Sequence, residues 1–118
     1  MDNYMNHSFS TQIRPLENLV IIDMLGEIDA FADQEIQSAY SQAESFNTPT
    51  IVLNFTQVGY INSTGIALIV GLISRARKTG RRLSVFGLSE HYLEIFRITR
   101  LADFVSIYSD EPSVLAEI

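Results

Sequence analysis

The stretch Tyr60-Ile61-Asn62-Ser63-Thr64-Gly65, continued by Ile66-Ala67-Leu68-Ile69-Val70, lies mid-chain and sets its organisation. Just before it, Thr50-Ile51-Val52-Leu53-Asn54-Phe55 is short, apolar and β-branched, which reads as a buried strand. The order is therefore strand, short loop, Asn-Ser-Thr-Gly, helix. Asn62 and Ser63 are both favoured helix N-caps, so a helix starts there. Ser63 then stands at a helix N-terminus, where free N–H groups and the macrodipole favour negative charge. A hydroxyl in that place can cap the helix, attack a substrate or accept a phosphoryl group.

The helix after Ser63 carries more information. At 100° per residue, Ile66, Ile69, Val70 and Ile73 share one stripe, the expected core face. Leu68 and Leu72 fall on a different side, next to Gly65. Either another element covers them or they form an apolar patch for a partner, and two leucines one turn apart near Ser63 favour the patch. Five of the eight basic residues, Arg75, Arg77, Lys78, Arg81 and Arg82, cluster at the far end of this helix and in the turn at Gly80. Dipole complementation accounts for that cluster, and docking of an acidic partner is the functional alternative. A helix from Thr64 to Thr79 would hold the cluster roughly 22 Å from Ser63.

Toward the N-terminus, residues 1–7 read as a disordered tail and 8–118 as one domain. Phe9, Thr11 and Ile13 alternate with polar residues, a half-buried strand. Pro15 to Asn18 forms a turn, and Leu19 to Leu25 a second strand that closes a hairpin and ends at Gly26-Glu27-Ile28-Asp29. Ala32, Ile36, Ala39, Tyr40 and Ala43 recur at helical spacing, with Asp33 and Glu35 in the first turn. Toward the C-terminus come a strand at Leu83–Phe86 and a helix around Leu93, Ile95 and Phe96 that ends at Thr99-Arg100-Leu101. A strand at Phe104–Tyr108 follows, then a last helix with Ser109, Asp110 and Pro112 at its start. Strands alternating with helices predict a mixed, mainly parallel sheet with an antiparallel hairpin at its start. Periodicity alone equally permits a receiver-like or other α/β sandwich.

Composition narrows the chemistry. A chain of 118 residues with 47% hydrophobic and 19% charged residues is an ordinary globular domain. A net charge of −6 argues against a nucleic-acid binder, since phosphate neutralisation needs surplus cations. Without cysteine there are no disulfides, thiolate nucleophiles or Cys-based zinc sites. No apolar run reaches the roughly 20 residues of a membrane span, and Met1 to His7 lacks a signal-peptide core, so a cytoplasmic protein with no membrane insertion is expected. His7 and His91 share no metal-ligand spacing with carboxylates, so neither metal nor other cofactor is expected. Gly-x-Ser-x-Gly, Walker and dinucleotide motifs are missing. Asp23, Glu27 and Asp29 lie close in sequence, but that spacing does not establish an acid/base pair.

Ile51 to Val70 resembles the signature of the STAS-domain anti-sigma factor antagonists, in which a buried strand leads to Asp-Ser-Ser/Thr-Gly. The likeness continues from about Ile13 to about Leu115. It implies an α/β fold: a single STAS-like domain with a mixed, mainly parallel sheet of four to five strands, an N-terminal hairpin and about four helices. It implies that Ser63 is phosphorylated, with Asp29, Asn62, Thr64 and Gly65 around it. Gly26-Glu27-Ile28-Asp29 resembles the family segment whose Asp lies near that serine, although a capping carboxylate before the next helix is an equal reading of Asp29. Asn62 stands where the family usually has Asp. Arg100 stands where it often has a left-handed glycine, which suggests a different local turn here.

The resemblance implies a non-enzymatic switch. The unphosphorylated protein binds an anti-sigma factor serine kinase and frees the sigma factor; phosphorylation of Ser63 ends the contact and a metal-dependent serine phosphatase restores it. A partner would pack on Leu68 and Leu72. Two alternatives remain at this point. One is a STAS subunit of a membrane-associated lipid or anion transport complex, and the other a small Ser63-dependent hydrolase or nucleotide-binding domain.

Overall fold

The computed structural model describes residues 8–117, so the expected tail at residues 1–7 lies outside the described residues. Five strands form one sheet: β1 (Phe9–Pro15), β2 (Leu19–Ile28), β3 (Thr50–Ile61), β4 (Arg82–Phe86) and β5 (Ser106–Tyr108). Spatial order follows chain order, β1-β2-β3-β4-β5. β1 and β2 form the antiparallel hairpin, and the other three pairings are parallel. The helices α1 (Asp33–Glu44), α2 (Ser63–Lys78) and α3 (Glu90–Ile98) connect the parallel strands, and α4 (Glu111–Glu117) closes the described chain.

This order decides how the faces are covered. A sheet that grows in one direction through right-handed crossovers keeps its connecting helices on one side. Accordingly, residues of α1, α2 and α3 share one large core with Val20, Ile22, Ile28, Ile51, Leu53 and Val85. The opposite face has a small cluster of Leu19, Ile21, Val52 and Phe86 under Val114 of α4. Arg14 ties α4 down. Its guanidinium donates to both carboxylate oxygens of Asp23, at 2.6 and 2.9 Å, and to both of Glu111, at 3.1 and 2.8 Å.

Several boundaries differ from the sequence reading. β2 runs through Gly26 to Ile28 instead of stopping at Leu25, with register irregularities on either side of Leu25 and Gly26. Gly26 has φ +115°, and a side chain there would run into the Ser8 backbone, so the glycine bends the strand rather than ending it. β3 likewise continues to Ile61, because the extended end of β2 supplies a partner for what reads as loop in isolation. The last strand is shorter than expected, since Leu101–Asp103 forms a 3-10 turn and pairing begins only at Ser106.

Arg100 takes the left-handed conformation after all, at φ 68°. Leu101, buried at 8% exposure, anchors the turn in the core, and Arg100 Nε donates to Asp103 at 2.7 Å. The tertiary anchor overrides a backbone preference of about 1 kcal/mol.

Candidate functional site

The site stands where β2 and β3 end side by side. Ile28 pairs with Ile61, and the Asn62 N–H donates to the Ile28 carbonyl at 3.2 Å. The next residue on each strand, Asp29 and Asn62, leaves the sheet at the same edge. The chain after β3 then turns into α2, and Asn62, extended at φ −90°, is the N-cap. Its Oδ1 accepts from the Gly65 N–H at 2.8 Å, and its carbonyl accepts from Ile66 N–H at 2.9 Å.

Of the two capping candidates Asn62 is therefore the cap and Ser63 the first helical residue, which has a chemical consequence. The amide of Asn62 takes the capping role and leaves the serine hydroxyl unused. Ser63 and Thr64 are both exposed, and among the described residues neither side chain has a hydrogen-bond partner. Among the described residues, no histidine or carboxylate bonds the Ser63 hydroxyl. The helix N-terminus, capped by a neutral amide, keeps its attraction for an anion.

Asp29 is buried to 8% exposure and caps a 3-10 turn, Ala30–Ala32, by accepting from the Phe31 N–H at 2.9 Å. The capping reading of this carboxylate holds, and the same geometry puts it beside the Asn62–Ser63 corner. The other nearby acids part from it, Asp23 to the Arg14 clamp and Glu27 to the strand opposite Tyr60. Burial pushes the Asp23 carboxyl upward, but hydrogen bonds from Arg14 and Asn54, with the Arg14 charge, outweigh it and hold the group below the usual carboxylate range. Among the described residues, no group of His, Asp and Glu could hold a metal ion.

Gly65 fixes how α2 meets the sheet. A Cβ at this position would overlap the Ile28 carbonyl oxygen, so the helix lies against the end of β2 with backbone touching backbone. The buried stripe consequently runs along Gly65, Ile69, Leu72, Ile73 and Ala76. Relative to the expected stripe it is turned by about 65° at 100° per residue. Leu72 is 1% exposed and belongs to the core, so the expected two-leucine patch does not exist. Leu68 is half-buried at its flank, and Val70, expected inside, is 45% exposed. The apolar groups open to solvent around this end of the sheet are instead Phe31, Tyr60 and Leu25.

Tyr92 of α3 was not singled out by its sequence. Its hydroxyl accepts from the Ile61 N–H at 2.8 Å and donates to the Ile61 carbonyl at 3.3 Å, in the residue just before the cap. Only the apolar periodicity of α3 hinted that the ring is buried; nothing local told where the hydroxyl would reach. In the basic cluster, Arg75 is structural. It reaches α1 at Gln37 and Glu44, at 2.9 and 2.5 Å, and lies over the Tyr40 ring.

Comparison with known proteins adds to this geometry. The family model described as STAS domain matches residues 10–114. The anti-sigma-B factor antagonist of Listeria monocytogenes serovar 1/2a is 30% identical over 107 residues, which cover 91% of this chain and 93% of that protein. The fold is similar to the crystal structure of an anti-sigma factor antagonist from Mycobacterium paratuberculosis, with TM-score 0.81, 16% identity and 95% of each chain covered. It is also similar to the phosphorylated form of the Bacillus cell fate determinant SpoIIAA, with TM-score 0.70, 21% identity and 92% and 100% of the two chains covered.

Proposed function

The chain belongs to the STAS-domain family, and on that premise we propose that it is an anti-sigma factor antagonist switched by phosphorylation of Ser63. In its unmodified form it binds an anti-sigma factor that is also a serine kinase, and the sigma factor is set free. Phosphorylation ends the contact, and a metal-dependent serine phosphatase restores it. The protein works as a binding partner in the cytoplasm, not as a catalyst. The names of its relatives support the antagonist reading.

One observation supports the assignment of the residue: an exposed hydroxyl at the first position of α2, without a hydrogen-bond partner among the described residues, with Asn62 as the cap. A phosphate brings about −1.5 to −2 charge at neutral pH. The start of a helix tolerates that charge, so the domain keeps its fold. A partner seated over Phe31 and Tyr60, 71% and 52% exposed, would have to desolvate the same charge and is released. Asp29, Thr64 and Gly65 shape the seat, and Leu68 borders it.

The test uses the purified cognate kinase with ATP, followed by phosphopeptide mapping and calorimetric titration of the partner. Phosphate is expected on Ser63 alone, and Ser63→Glu should weaken partner binding at least tenfold while Ser63→Ala binds normally. Label confined to Thr64, or absent from both residues, overturns the assignment.

A further inference from the structure

The distribution of cations points to a second docking surface, away from Ser63. The sequence has eight Lys and Arg residues against fourteen Asp and Glu. Arg14, Arg75, Arg97 and Arg100 each sit within 4.0 Å of a carboxylate. Among the described residues, the other four, Arg77, Lys78, Arg81 and Arg82, have no such partner, and they lie together where α2 ends and β4 begins.

The end of α2 does not need them. Its last carbonyls are taken by backbone and a hydroxyl: Thr79 N–H and Oγ1 bond the Arg75 carbonyl, Gly80 N–H that of Arg77 and Arg81 N–H that of Ala76. Arg82 stands outside the helix, on β4. The Arg77 guanidinium is laid over the Phe104 ring, 4.9 Å from its centre.

That Arg77–Phe104 pair forms a shared wall between two depressions. On one side Val70, Leu101 and Phe104 line an apolar groove of about 310 Å³ between α2 and the turn after α3. On the other, Arg77, Arg81 and Arg82 line one of about 300 Å³ together with Asp103, whose carboxylate is paired with Arg100. Val70 and Phe104 are 45% and 49% exposed.

We propose that this double groove docks an acidic segment of a partner protein, with one large apolar side chain in the Val70–Phe104 groove and carboxylates on Arg77 and Arg82. Charge complementarity selects the acid: among the described residues Arg77, Lys78 and Arg82 have no carboxylate within ion-pair reach, whereas Arg81 is held by the Glu44 and Thr48 carbonyls and the Asn47 amide oxygen at the end of α1. A protein segment fits better than a bilayer, because the apolar surface is a concave groove between α2 and the turn after α3, which seats one side chain and does not protrude into acyl chains. Along α2, Arg77 is about 21 Å from Ser63 at 1.5 Å per residue, so this surface stays open while the Ser63 end is occupied.

The probe is a fluorescein-labelled acidic nonapeptide with a central Leu-Phe pair, titrated into the full chain labelled with 15N. The expected amide shifts centre on Val70, Arg77 and Phe104. Arg77→Gln with Arg82→Gln should weaken binding at least tenfold; both side chains are exposed, so the fold is kept and the thermal midpoint falls only slightly, through the lost Arg77–Phe104 contact. Replacing the Leu-Phe pair by Ser-Gly should weaken it at least fivefold. Equal affinity without the apolar pair, or shifts centred elsewhere, overturns the proposal. So does a silent peptide with phosphatidylglycerol vesicles moving the same amides, which would make the surface a lipid site.

Discussion

At Asn62 a neutral amide holds the Gly65 N–H, and the cost of losing it is measurable. Asn62→Ala should lower stability by about 1 kcal/mol in urea unfolding, the usual loss for a helix cap. Asn62→Asp keeps the acceptor and adds charge of the sign a helix start favours, so it should match or exceed the wild type. The same Asp sets a second negative charge beside a phosphorylated Ser63, so its gain should shrink or vanish in the phosphorylated protein. A loss of stability in unphosphorylated Asn62→Asp would contradict this account of the corner. The start of α2 could be read directly from Asn-Ser-Thr-Gly after a strand. Their division of labour could not, because either of two adjacent capping residues can begin a helix, and the length of the preceding strand decides which one does. Here β3 reaches Ile61 and leaves the cap to Asn62.

The orientation of α2 was the least legible feature of the element. Apolar residues surround enough of this helix that several stripes are plausible, and hydrophobicity alone chose one containing Val70. What decides is a contact that carries no hydrophobic signal: the bare backbone of Gly65 against the Ile28 carbonyl. Once the first turn is seated there, Leu72 must face inward and Val70 must not. Leu72→Ala should therefore cost about 2–5 kcal/mol, the range for truncating a buried leucine. Val70→Ala should cost less than about 1 kcal/mol, as for an exposed position. Gly71 offers an internal control, since a Cβ there meets nothing within 4 Å. Gly71→Ala should stabilise by about 0.5–1 kcal/mol through helix propensity, whereas Gly65→Ala destabilises by overpacking. Urea midpoints of the four variants rank these expectations. Comparable losses at Leu72 and Val70 would mean that the helix is seated differently.

For the molecule as a whole, the strand and helix alternation was enough to foresee a mixed sheet begun by a hairpin. The extra lengths of β2 and β3 were hidden because each exists only as the other's partner. The clamp joining Arg14, Asp23 and Glu111 was equally hidden, as it spans 97 residues of sequence. It gives the fold a definite response to acid. An unfolded Asp titrates near 3.9, and folded Asp23 lies below its ordinary value. The native state thus binds fewer protons there, and the stabilisation is present above the unfolded value and lost as pH falls through the folded one. Asp23→Asn should be less stable than wild type at pH 7, with the difference narrowing below about pH 4 as Asp23 itself protonates. Unfolding midpoints measured from pH 7 to pH 3 check this, and a constant difference would remove Asp23 from the acid response. Strand order has a further consequence, for the timing of synthesis. Because neighbours in space are neighbours in sequence, a ribosome delivers each strand beside one already made. Ile61 nevertheless emerges 31 residues before Tyr92, the residue whose hydroxyl holds it. A nascent chain displays Ser63 before the strand end beneath it is fastened, so under the proposed switch a kinase that reads shape would have no finished substrate until α3 has left the exit tunnel.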